Sequence, residues 1–375
     1  MRNTTNITKQ TAGHFLQRLS FDTDMYAHGV TSRTFWIGWL AVALFLNLWI
    51  APAFGASVLI EDALGRKVRL SLPIQTVVAL NSDILEILRT LKAEDCVAGV
   101  FSEVVREHEF WGDLAQRPKV GSWREPNMET IAALKPDLVI AYSRNPGPLL
   151  ERKMALFGIQ VLRLDFYKVD TLEREVRVMG RLLNREKEAA RFCDWYRRHL
   201  GVFRVKIART LRRPAVYIES YTDYHAAGPG SGGDEMCVRA GGNNIAAGLS
   251  IPYPRVTPEW VLSRNPEVII KAAAHGNGYT LRDPAPFNNC RDAILKRPAW
   301  HHIPAVASGN VHVMDSAIWT GPRAIIGIAH MLRWIHPDLF PDLNPEALHK
   351  EYLETFQGIA YHGVFVSDNI QGGGR

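Results

Sequence analysis

Arginine and aromatic side chains collect in this chain where apolar, strand-like runs give way to loops. In the first half these residues are Asn81, Ser82, Trp123, Arg124, Tyr142 and Arg144. In the second half they are Tyr221, Tyr224, His225, Tyr253, Trp319 and Arg323. Guanidinium forks hold carboxylate or catecholate oxygens and aromatic faces supply flat contact area, so the set suits a multi-ringed ligand carrying negative charge. Open α/β sheets bind ligands beyond the carboxyl ends of their strands, which is where these residues fall. No catalytic constellation competes with that reading. The chain shows no Gly-x-Ser-x-Gly elbow, no paired-carboxylate motif and no metal triad. His225, His301, His302 and His312 form no HxxxH or Cys/His set, so neither a resident metal nor a cofactor is expected. The glycine-rich stretch 228–234 lacks the GK[ST] of a phosphate loop and is read as a flexible loop beside the cleft.

A second signal is a repeat. Asn127-Met-Glu129-Thr-Ile131 leads to Pro136-Asp137 and the apolar run 138–140, and Thr257-Pro-Glu259-Trp-Val261 leads to Pro266-Glu267 and the run 268–270. Each copy predicts a short capped helix stopped before proline, then a buried strand. One carboxylate on a first helical turn is ordinary, since it favours the helix dipole. Two in register, Glu129 and Glu259, suggest matching lobes that offer paired negative charges to one partner.

The elements needed to position these residues follow from the hydropathy pattern. Short apolar runs at 76–80, 97–101, 138–142 and 158–164 alternate with helical stretches, and the pattern restarts at 215–219, 267–271 and 310–314. Strands alternating with helices mean an α/β fold with mainly parallel sheets. Between them, no proline interrupts 149–213, and apolar residues fall at helical spacing from Leu172 to Ile207. Unbroken, that is a helix of roughly 54 Å; Gly180 marks where a helix pair would be joined instead. The expected layout is a signal peptide or N-terminal anchor at 1–56, an N-terminal lobe at 57–170, a linking helix at 171–210 and a C-terminal lobe at 211–375.

Length and composition fit this. The chain has 375 residues, 47% of them hydrophobic, enough for two sizeable cores. A net charge of +6 with no Lys/Arg block gives no reason to expect a nucleic-acid partner. Arg33 precedes the charge-free run Phe35–Ile50, followed by small residues at 51–57 that suit signal-peptidase cleavage. Export is the expectation, with an uncleaved membrane anchor as the alternative and Met25 as an alternative start. Four cysteines without a CxxC pair leave two readings: a disulfide between Cys237 and Cys290, or buried unpaired thiols.

The strand end at Asn81-Ser82-Asp83, the segment Gly121-Ser-Trp-Arg-Glu-Pro-Asn127 and the paired Glu-to-Pro units resemble one group of binding proteins. So do the mid-chain helix and Ala240-Gly-Gly-Asn-Asn-Ile245. The group comprises the extracytoplasmic solute-binding components of ABC importers for iron–siderophore complexes, haem and cobalamin, and the likeness covers roughly residues 58–360. It implies two Rossmann-like lobes joined by one long α-helix, a metal chelate held between them, and delivery by a monomer to a dimeric ABC permease at the membrane. It also implies that Glu129 and Glu259 pair with permease arginines. The tyrosine-containing haem pattern of the group is missing from the first lobe, which ranks a ferric siderophore above haem; a cobalamin or haem carrier of the same class is the alternative. An exported metalloenzyme or a membrane-anchored sensory module is the alternative from another class.

Overall fold

Two four-stranded parallel sheets carry the molecule, and both are wound in the same order. The computed structural model describes residues 56–274 and 278–367, all within one compact unit, Gly55–Arg375. The segment preceding it, with the apolar run Phe35–Ile50, lies outside the described residues. Among the described residues no helix is long and apolar enough to cross a membrane.

An antiparallel hairpin, β1 (Ser57–Glu61) and β2 (Lys67–Ser71), opens the described chain. The N-terminal sheet contains β3 (Val77–Ala79), β4 (Val97–Val100), β5 (Leu138–Ala141) and β6 (Gln160–Arg163) in the order β4-β3-β5-β6. The C-terminal sheet contains β7 (Ala215–Glu219), β8 (Asn243–Asn244), β9 (Val268–Ala273) and β10 (Val311–Asp315) in the order β10-β9-β7-β8. In each, the first strand of the lobe lies between the second and the third. The chain therefore leaves that strand's two flanks in opposite directions, and a crevice opens at its carboxyl end. Every residue of β3, β5, β9 and β10 is buried, as expected of strands covered on both faces. Strand β8, only two residues long, carries no readable pattern in the sequence.

The repeated motif forms the same structure twice. Helix α2 (Met128–Leu134) is capped by Asn127, whose side chain accepts from Thr130 N, and ends at Lys135 in a left-handed conformation. Helix α7 (Pro258–Arg264) is capped by Thr257, which accepts from Trp260 N, and ends at left-handed Asn265. The carboxylate after the proline then clips the third strand of each lobe to the start of the first. Asp137 Oδ2 accepts from Gln75 N at 2.8 Å and Thr76 N at 2.9 Å, and Glu267 Oε1 accepts from Ala215 N at 3.0 Å.

The mid-chain run is a helix pair, α4 (Val169–Leu182) and α5 (Glu186–Ile207). The continuous span expected from Leu172 to Ile207 is thus corrected: the long helix is the 22 residues of α5. The break comes at Asn184, with φ of 54°. Gly180 lets the two helices meet, because a Cβ there would lie 2.5 Å from Ala189 Cβ. Helix α1 (Ser82–Thr90) follows β3, α9 (Ala324–Ile335) follows β10, and α10 (Pro345–Tyr352) returns to α1. All four cysteines are free, so Cys237 and Cys290 are not bridged.

Candidate functional site: a cleft at the strand ends

A cavity of about 820 Å³ lies where the strand ends of the two sheets face each other. Nine of the residues singled out in the sequence line it: Asn81, Ser82, Trp123, Arg124, Tyr142, Arg144, Tyr221, Tyr253 and Arg323. Asn81 also caps α1, accepting from Ile84 N at 3.1 Å, so its side-chain oxygen is already engaged.

The wall formed by the N-terminal lobe is held by buried charge. Arg163, at the end of β6, donates to Tyr142 O at 2.7 Å and Pro146 O at 2.6 Å and is itself held by Glu151 at 2.7 Å. Asp165 accepts from Ser143 N at 2.8 Å and Ser143 Oγ at 2.7 Å. The loop carrying Arg144 is thus fixed before any ligand arrives. Trp123 and Arg124 sit on the turn after Gly121, where φ is +91° and a Cβ would come within 2.6 Å of Asn127 N. Arg124 lies over the Trp123 ring, 4.4 Å from its centroid. Trp123 meets Tyr142 edge-on, and Tyr142 meets Tyr167 in the same way.

The C-terminal wall rests on a different network. Buried Glu219, at the end of β7, accepts from Lys271 at 2.8 Å, from both Arg297 Nη atoms at 2.8 Å, and from Tyr224 N at 3.0 Å. It shapes the loop that presents Tyr221, which is 48% exposed toward the cavity. That same network accounts for two residues that do not line the cavity. Tyr224, with φ of 60°, turns back under Arg297 and packs edge-on against Trp300. His225 pairs in a backbone bridge with Arg255, and its Nδ1 lies 3.2 Å from Asp223 O. Trp319 is wholly buried in the core and is also absent from the lining. All three were placed in the cleft by sequence position alone, and packing withdraws them.

The cavity also contains acids that the sequence reading passed over: Asp83, Glu86, Glu103 and Glu107. Burial pushes Asp83 up to about 6, against a hydrogen bond from Tyr142 that favours its charged form. That bond, Tyr142 OH to Asp83 Oδ2, is 2.5 Å. Burial raises Glu107 as well. Glu86 meets Arg323 Nε at 3.0 Å and accepts from Tyr352 OH at 2.6 Å. Gln357 extends this cluster across the back of the cleft, accepting from Arg89 at 2.6 Å and donating to Tyr352 OH at 3.0 Å. Elements from both ends of the chain are tied together there. Glu103, Arg106 and Glu107 lie on a short 3₁₀ segment, Ser102–Glu107, whose lack of helical or strand period hid them.

Glu129 and Glu259 stand exposed in the first turns of α2 and α7, and neither has an ion-pair partner among the described residues. Beside Glu129 is a second, shallow hollow lined by Met128, Lys153, Leu156 and Phe157.

The sequence profile of the family described as "Periplasmic binding protein" matches residues 77–318, which contain all eight strands of the two parallel sheets. The chain belongs to this family. Among curated relatives of this periplasmic binding protein are the vitamin B12-binding protein of Salmonella paratyphi A and that of Yersinia pestis. The first is 26% identical over 180 residues, covering 48% of this chain and 68% of the relative. The second is 29% identical over 153 residues, covering 40% of this chain and 54% of the relative. The fold is shared with a TroA-like periplasmic binding protein from Veillonella parvula at TM-score 0.68 and 19% identity, covering 82% of this chain and 99% of that one. A periplasmic heme binding protein from Pseudomonas aeruginosa matches at TM-score 0.59 and 24% identity, covering 70% and 93% of the two chains. The two-lobed α/β architecture expected of this periplasmic binding protein is therefore its observed fold.

Proposed function

We propose that this protein captures a metal chelate of ferric-siderophore type outside the cytoplasm and delivers it to an ABC permease, with no chemical step of its own. One observation carries the reading. Arg106, Arg124 and Arg144 line the cavity without a carboxylate partner among the described residues; Trp123, Tyr142, Tyr167, Tyr221 and Tyr253 line it too, and Arg124 lies over the Trp123 ring. Guanidinium groups left unpaired beside aromatic rings suit the oxygens and flat ligand arms of an anionic chelate. Glu129 and Glu259, free on the two lobes, are the docking carboxylates in this reading, each making a charge-assisted pair with the permease.

A corrinoid is the second reading, favoured by the vitamin B12-binding relatives. Tryptophan-fluorescence titration of the protein with ferric catecholate, ferric carboxylate, ferric hydroxamate, cobalamin and haem decides between them. Saturable quenching by a ferric chelate alone supports the first reading, and saturation by cobalamin alone supports the second. No saturation with any of the five removes both.

A further inference from the structure

Basic residues outside the cleft are not spread evenly. Residues 197–213 hold seven Lys and Arg and no Asp or Glu, in a chain whose whole net charge is +6. The segment comprises the last turns of α5 and the linker that runs from it to β7. The inner side of those turns is anchored: Phe203 and Ile207 are buried in the core, and Lys206 lies over the Phe340 ring. The outer side carries Arg198, Val202, Val205 and Arg209, spaced four, three and four residues apart and so in one line along the helix and its end. Val202 and Val205 are 52% and 54% exposed. Leu211, in the linker, is 98% exposed, more than any other large apolar side chain among the described residues. Arg198, Arg204 and Arg209 are exposed and have no carboxylate partner among the described residues, whereas Arg212 is held by Glu267 at 2.8 Å.

Ordinary roles leave part of this pattern unexplained. A cation in the last turn of a helix favours the dipole, which accounts for Arg204 and Lys206 alone. A solvated face accounts for the arginines but offers nothing to Val202, Val205 and Leu211. Cationic side chains interleaved with exposed apolar ones match a surface that is anionic at its face and apolar just beneath, and a phospholipid bilayer is such a surface. A soluble polyanion would engage the arginines and leave the apolar side chains in water. We propose that this end of α5, with the linker 208–214, is a membrane-contact surface that binds anionic phospholipid headgroups and sets Leu211 among them. The linker enters the amino end of β7, whereas the cleft lies at the carboxyl ends of the strands. Contact through this end therefore holds the cleft away from the bilayer, open to cargo.

The test follows amide hydrogen exchange of the full chain by mass spectrometry, with vesicles of phosphatidylcholine alone or mixed with phosphatidylglycerol. Peptides over 202–214 report the contact locally, so binding by any other part of the chain does not register there. Exchange in them is expected to slow with the phosphatidylglycerol vesicles and to stay unchanged with phosphatidylcholine alone. Arg198→Glu with Arg204→Glu and Arg209→Glu is expected to raise the lipid concentration for half-protection at least about 100-fold, since each basic residue near an anionic surface is worth about fivefold. Leu211→Ser is expected to raise it about fivefold, for a side chain that enters the interface only in part. No protection with phosphatidylglycerol vesicles, or equal protection by phosphatidylcholine alone, overturns the proposal without recourse to any variant. Protection that survives the triple change, with circular dichroism unaltered, overturns it as well. Protection by heparin equal to that by vesicles, together with a Leu211→Ser variant that behaves as wild type, assigns the patch to a soluble polyanion and overturns the lipid contact.

Discussion

The two lobes share a scaffold and differ in what they bring to the cleft. Both wind four parallel strands in the same order, and both lead into the third strand through a capped helix that ends in a left-handed residue before proline. Both clip that strand to the first with a carboxylate. Yet the N-terminal lobe contributes the unpaired arginines Arg106, Arg124 and Arg144, whereas the C-terminal wall presents Tyr221 and Tyr253. A duplicated backbone thus fixes where side chains emerge, and the loops beyond the strands decide what chemistry emerges there.

The largest expected effect tests the equivalence of the lobes. Glu129→Ala with Glu259→Ala is expected to abolish chelate uptake in cells while leaving the dissociation constant of the purified protein unchanged. Each single variant is expected to reduce uptake to a similar degree, since the two carboxylates occupy matching positions. Uptake that survives the double change would break the symmetry argument.

The next test addresses the difference between the lobes. Arg124→Ala with Arg144→Ala is expected to weaken an anionic ferric chelate by roughly 100-fold, as each hydrogen bond to a charged group is worth about 1.5–3 kcal/mol. Tyr221→Ala with Tyr253→Ala is expected to cost only about tenfold, and equally for charged and neutral ligands, as befits contact area. A tyrosine pair that discriminates by charge, measured by titration, would reverse the assignment of roles.

Stability separates the two clips. Asp137 receives two backbone N–H groups and the Thr76 hydroxyl, whereas Glu267 receives one backbone N–H and Arg212. Chemical denaturation is therefore expected to show a loss of about 3 kcal/mol for Asp137→Ala and about 1 kcal/mol for Glu267→Ala.

The last effect concerns a residue of neither sheet. Glu175 on α4 is buried, and burial pushes its carboxyl up to about 8, reinforced by Asp165 and opposed by Arg174. A carboxyl raised on folding binds more protons in the native state than in the unfolded chain. Stability therefore falls as pH rises from the ordinary carboxylate range through about 8. Glu175→Gln is expected to flatten that decline, seen as a smaller drop in Tm between pH 5 and pH 8.

Much of the fold was written in the pattern of residues. The repeat predicted two matching units because caps, prolines and apolar runs act locally, and β7 occupies 215–219 as read. The break between α4 and α5 was signalled by Gly180 but decided by how closely the two helices pack, which is a tertiary matter. The site was legible by halves. Nine residues picked by position at a strand end line one cavity, yet position could not say which way a loop turns. Tyr224 and His225 follow the Glu219–Arg297 network away from the cavity, and Trp319 is drawn into the core. Glu103 and Glu107 were missed because a 3₁₀ segment has no longer-range period to reveal it.

The cluster of Arg89, Glu86, Arg323, Tyr352 and Gln357 at the back of the cleft has a mechanical meaning. A hinge that must swing widely is made of few contacts and solvated backbone; here the pivot is fastened by buried charge from three distant parts of the chain. The gap between the two walls is accordingly expected to stay nearly constant, so small-angle scattering with and without a saturating ligand is expected to give the same radius of gyration.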